Sequence, residues 1–89
     1  MASLTLEGMK QDQLVMSVAR AMALANQAAI NEGIDLATSL VTITEELTGD
    51  VPLWRIHYGP RDYVNQRGGD LIVLVDERAE AVRRIIRGQ

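Results

Sequence analysis

Apolar and polar positions change period three times along this chain. From Lys10 to Glu32 they recur every three or four residues. Val15, Val18, Met22, Ala25 and Ala29 line one face, and Leu14, Ala21 and Ala28 widen it, so the spacing predicts a helix over 10–32. Alanine dominates this face, which favours helix and lets it lie close on a flat surface. Gly33 follows as the natural left-handed cap, with Ile34 as its apolar contact, and residues 1–9 are read as a flexible N-terminus.

Beyond Gly33 the period drops to two. In Leu40–Leu47, Val41, Ile43, Glu45 and Leu47 share one face, and Leu40, Thr42, Thr44 and Glu46 share the other. The run TGDVP predicts a turn, with Pro52 kept out of the ladder. LWRIHY, residues 53–58, sends Trp54, Ile56 and Tyr58 one way and Leu53, Arg55 and His57 the other. LIVLV, residues 71–75, is apolar on both faces, as in a strand inside a sheet. The tail DERAEAVRRIIRGQ reads either as a helix capped by Asp76 or as a hairpin connection and a strand, VRRIIR. The whole of residues 1–89 is therefore one α+β domain: a long N-terminal helix across an antiparallel sheet of three or four strands, order α-β-β-β-β, with the sheet in 38–89.

Composition narrows the chemistry. There is no Cys, which removes thiol nucleophiles and disulfides and fits a cytoplasmic location. MASLTLEGMK lacks the basic-then-apolar layout of a secretory signal, and no segment reaches the roughly 18 apolar residues of a membrane span. The net charge is −3, and residues 46–89 balance seven Arg against seven acids. Nucleic acid is therefore not an expected partner, whereas a basic protein is.

No catalytic set stands out, and the chain is read as non-enzymatic, with no cofactor and no metal site. The single His57 reads as a partly exposed strand residue with no second base or ligand in the sequence. Ser17 and Ser39 have no base near them, and Ser39 reads as the start of a strand. Glu45 and Glu46, as strand neighbours, point to opposite faces; Glu46 reads as solvated, and Glu45 as reaching water or an Arg. Asp62 with Asp70 or Asp76 matches no calcium loop. Gly68-Gly69 open a strand instead of a helix, so they read as a turn and not a phosphate cradle. The insert GPRDYVNQR, residues 59–67, is longer than a tight hairpin requires and carries Tyr63, Asn65 and two Arg, a composition suited to docking a protein.

Trp54 on a strand, then Gly68-Gly69, LIVLVD, Val82, Ile85 and the closing Gly88-Gln89 together resemble the small immunity proteins of bacterial polymorphic toxin systems, which have a nuclear-transport-factor-like or cystatin-like fold. The resemblance covers roughly residues 30–89, and PepSY-type inhibitory domains share part of it. Where the family usually has Thr-Gly in its last hairpin, this chain has Ala79-Glu80, and Glu80 suits a positive φ poorly. A final strand is still the expected reading, since it shields LIVLV from an exposed edge. Strict alternation then places Val82, Arg84 and Ile86 on one face, with Arg83, Ile85 and Arg87 on the other.

The resemblance implies a protein that binds a cognate toxin stoichiometrically. The expected contacts are Arg55, His57, Arg61, Asp62, Tyr63, Asn65 and Arg67, and the chain is expected to be a monomer or a homodimer through a strand edge. The alternatives are a PepSY-like regulatory domain or a small-molecule binder with a cavity between helix and sheet. Complete filling of the interior by Val15, Val18, Met22, Ile43, Trp54, Ile56 and Val73 would favour the first reading over the cavity.

Overall fold

A computed structural model describes the backbone of residues 2–61 and 70–88 and the side chains of 13–61 and 70–88. The chain forms one helix, α1 (Ala2–Asn31), then a single 3-10 turn (Leu36–Thr38) and four strands: β1 (Ser39–Thr48), β2 (Val51–Pro60), β3 (Leu71–Asp76) and β4 (Ala81–Arg87). The strands make one antiparallel sheet in the order β1-β2-β3-β4. This is the expected α+β fold, and the ambiguous tail is a strand. No helix among the described residues is long and apolar enough to cross a membrane.

The helix begins at Ala2, not at Lys10 as its periodicity suggested. Residues 2–9, ASLTLEGM, include Ala, Leu, Glu and Met, all good helix formers, and Gly8 alone costs only about 1 kcal/mol there. At its other end the expected cap is present. Gly33 takes a φ of 89°, its N–H bonds to Ile30 O at 3.0 Å, and the Ile34 N–H reaches back to Ala29 O at 2.9 Å. Two carbonyls of the last turn are thereby satisfied, as in a Schellman motif.

Ala21, Ala25 and Ala29, spaced four apart, are the buried stripe of α1. Their small side chains let the helix settle on Trp54, Ile56 and Tyr58 of β2 and Leu71, Val73 and Val75 of β3, which complete the core. Val18, Met22, Leu24 and Ile43 pack around its margin. Val15 does not join them and is 66% exposed, because this part of α1 lies beyond Ser17, the residue that meets Trp54 near the end of the sheet. Two hydrogen bonds fix the crossing: Trp54 Nε1 donates to Ser17 Oγ at 2.8 Å, and the Tyr58 hydroxyl donates to Asn26 Oδ1 at 2.7 Å. Burial pushes the Tyr58 phenol up to about 12.

α1 packs on β2, β3 and β4, and it is tied to the β4 side by the ion pairs Arg20–Glu80, within the helix, and Arg87–Glu32, just past its C-terminus. Such exposed pairs contribute at most about 1 kcal/mol each, so they orient the helix more than they stabilise it. β1 lies outside this cover, with Val41 41% and Leu47 74% exposed.

The turns differ from the expected ones in two places. Thr48 pairs directly with Val51, leaving Gly49-Asp50 as a two-residue turn with Gly49 at a φ of 64°. Pro52 lies inside β2 opposite Leu47, in the stretch beyond the end of β3, where its missing N–H breaks no β3 ladder. Gly59 and Pro60 also belong to β2, buried and paired with Leu40 and Ser39, so the insert begins later than the sequence indicated.

The β3–β4 turn spans 77–80 and sets Glu80 at a φ of 51°. Asp76 holds it: Oδ1 accepts from the Arg78 and Ala79 backbone N–H groups, each at 2.9 Å, and Oδ2 accepts from Arg83 at 3.2 Å. A register shift follows between Leu74 and Val75, so Arg83 is an extra residue. The strict alternation expected for the tail therefore fails. Val82 and Ile85 pair with Val75 and Val73 on the helix side, while Arg84 and Ile86 pair with Leu74 and Ile72 on the other.

Candidate protein-binding surface

Because Trp54, Ile56 and Tyr58 face α1, their neighbours Leu53, Arg55 and His57 face the opposite way. The pairing extends this second face across four strands. One row runs Thr42, His57, Ile72, Ile86, and the next runs Thr44, Arg55, Leu74, Arg84. No element among the described residues packs over it. Ile72, Leu74 and Ile86 are only half-buried, so apolar and charged side chains share one flat surface.

Two contacts organise this surface. His57 Nε2 lies 2.9 Å from Asp70 Oδ2. A carboxylate only accepts, so Nε2 is the donor in this contact. Asp70 is itself held by the end of the chain, where the Gly88 N–H donates to its carbonyl at 2.8 Å. A Cβ on residue 88 would sit 2.9 Å from the Asp70 Cβ, so glycine is the residue that allows this approach. On the neighbouring row, Arg55 Nε lies 3.5 Å from Glu46 Oε1, so Glu46 is paired and not merely solvated.

The structure brings together Arg55 and His57 of the expected contacts. Arg61 is exposed at the end of β2, where its N–H bonds to Thr38 O at 3.1 Å. Asp62, Tyr63, Asn65 and Arg67 lie outside the described residues. Asp70 and Asp76 stand at opposite ends of β3, roughly 20 Å apart at strand rise, and do not share a site. The reading of the sequence missed Asp70 as the partner of His57. It also missed the apolar trio Ile72, Leu74 and Ile86.

A second polar cluster lies on the helix side, at the end where α1 overruns the sheet. Glu45 was expected to reach water or an Arg, but it meets the Glu77 carboxyl instead. Burial, then the hydrogen bond to Glu45 and the repulsion of its charge, push Glu77 up to about 7, and Glu77 Oε2 is buried without a partner. Beside the pair, Gln13, Met16, Ser17, Arg20, Glu77 and Glu80 line an open groove of about 350 Å³. Farther along α1 the helix–sheet interior is closed by Ala25 and Ala29 against Ile56, Tyr58 and Val73.

A carboxyl raised in the folded state stabilises the fold below its unfolded value of 4.5, and that contribution is lost as pH rises toward 7. Asp76 acts in the opposite sense. Its bonds from the Ala79 and then the Arg78 N–H, with Arg83 nearby, hold its carboxyl below 3.8, so its contribution is lost only at lower pH. The two windows do not overlap. Glu77→Gln, which keeps a hydrogen-bond donor toward Glu45, is expected to melt a few degrees above the wild type at pH 8 and level with it at pH 4. Thermal denaturation followed by circular dichroism at the two pH values checks this, and an equal difference at both would contradict it.

Comparison with known proteins finds no family model, no curated protein and no solved structure that matches the chain.

Proposed function

We propose that this chain is a non-catalytic binding protein, an immunity-type module that captures and neutralises a cognate toxin protein through the open face of its sheet. The observation that carries the reading is the uncovered face itself: half-buried Ile72, Leu74 and Ile86 beside Arg55 and the His57–Asp70 pair. Apolar side chains interleaved with Arg and an oriented imidazole suit a protein contact, where a few anchored residues supply most of the affinity. A flat face offers a toxin area, and it lacks the concavity that substrate chemistry uses. The toxin reading rests on the resemblance carried by Gly68-Gly69, LIVLVD and Gly88-Gln89, and the acidic balance of the chain suits a basic toxin. The groove of about 350 Å³ falls in the size range of ligand sites, but it is open to solvent and encloses little of what would sit in it, which favours the protein reading over a small-molecule one.

The test is co-expression with the product of the neighbouring open reading frame. The proposal expects a one-to-one complex that survives gel filtration. Changing Arg55 and His57 together to Ala should weaken it by about a hundredfold, the scale of two contact residues at 1–2 kcal/mol each, with the melting temperature nearly unchanged. Undiminished affinity in the folded double variant would remove the open face from the interface.

A further inference from the structure

The two edges of the sheet are built differently. β4 is seven residues long, carries Arg83, Arg84 and Arg87, and is bent by the register shift at Leu74/Val75. Charge and bulges are the devices by which sheets discourage strand addition. β1 has neither. It is ten residues long, carries no Lys, Arg or Pro, and pairs with β2 without a register break. On its helix side only Ile43 packs against the core, and α1, seated on the other three strands, leaves Val41 and Leu47 exposed.

The charge on this edge has one sign. Glu45 and Glu46 lie side by side near its end, and Glu77 lies behind Glu45 with one carboxylate oxygen unpartnered. Arg55 answers Glu46, while Glu45 meets the Glu77 carboxyl and makes no ion pair among the described residues. We propose that β1 is a docking edge that accepts an extended segment of a partner protein as a fifth strand, with a basic side chain of that segment seated on Glu45 and Glu77 and its apolar side chains against Val41 and Leu47.

A second copy fits this edge poorly. Two-fold pairing of β1 with itself sets two Glu45 and two Glu46 along one ladder that holds no base. Head-to-tail pairing with β4 would set Arg84 toward Glu46, yet Arg83 and Arg87 are already engaged by Asp76 and Glu32, and such contacts run on without closing. A separate basic strand meets neither obstacle, and main-chain hydrogen bonds supply its affinity whatever its exact sequence.

The inference rests on the binding-protein reading only in supposing that a partner exists. Its test uses twelve-residue peptides selected from a random displayed library against the full chain. Enriched peptides should alternate apolar residues with at least one Arg or Lys, and should slow amide hydrogen exchange in 39–48. Val41→Lys places an inward charge on the edge and should weaken them at least tenfold. Leu47→Lys, at a more exposed position, repeats the test if Val41→Lys folds poorly, while Gln27→Ala on the exposed side of α1 should leave peptide affinity unchanged. Failure to enrich such peptides, protection elsewhere, or equal affinity for the Lys variants would overturn the proposal. So would a chain that alone sediments at twice its 9.8 kDa with 39–48 already protected, since a second copy would then hold the edge. A toxin complex lost in the Arg55/His57 double variant but retained in Val41→Lys would sink the docking edge alone. Absence of any complex would sink the toxin reading and leave the peptide result standing.

Discussion

Ile56→Ala is expected to destabilise the fold by about 3–4 kcal/mol, near the middle of the range for large-to-small changes at fully buried positions. Ile56 is wholly buried, with Ile43 and Val73 as its cross-strand partners, and α1 closes over it. Little around it can collapse into the space, because the buried stripe of the facing helix is made of alanines. A domain of this size has roughly 5–10 kcal/mol of stability in all, so the melting temperature should fall by about 15 °C or more. Ile43→Ala supplies the contrast. It removes the same atoms from β1, where Ile43 is only half-buried, and should cost about 1–1.5 kcal/mol, less than half as much. Denaturant melts of the two variants check the order, and equal costs would mean that the core is not centred on β2 and β3.

The second large effect runs the other way in volume. Ala25 is fully buried where α1 lies on the sheet, and Ala25→Leu must lift the helix or displace Ile56 and Val73. Overpacking of this kind costs about 1–3 kcal/mol, and the upper end is expected here because neighbours on both layers are fixed by the hydrogen bonds of Trp54 and Tyr58. Ala23→Leu, one turn face away and exposed, should stay within about 0.5 kcal/mol of the wild type. If both substitutions are neutral, the alanine stripe is not the contact that seats the helix.

These two sites were also the most legible in the sequence. The three- and four-residue spacing of Ala21, Ala25 and Ala29 and the two-residue spacing of Trp54, Ile56 and Tyr58 each follow from one element burying one face. Gly33 was legible for a related reason, since few other residues take a φ of 89° at little cost. What escaped depends on relations between elements. Val15 fits the helical stripe as well as Val18 does, and only the length of the sheet decides that it overruns. The extra residue Arg83 leaves no local mark, yet it reverses the faces of Ile85 and Arg87. Asp70 meets His57 only through the β2–β3 register, which a long insert between the strands leaves open. Glu45 reads from the sequence as reaching water or an Arg, because an acid is usually solvated or paired with a base, whereas the fold turns it toward Glu77.

The candidate surface was half legible. Arg55 and His57 follow from the alternation of β2, but their value as contacts comes from Ile72, Leu74 and Ile86, which the open sheet leaves beside them. LIVLV reads as a strand inside a sheet, apolar on both faces, and only the absence of a covering layer among the described residues gives its second face another use.

The central claim is that the chain acts by occupying a partner and not by transforming one. Titrating the toxic activity of the neighbouring gene product with increasing amounts of the chain tests it most directly. The account predicts a linear loss that ends at one equivalent and does not deepen with incubation time. Inactivation at far less than one equivalent, growing as the mixture stands, would show turnover and contradict it.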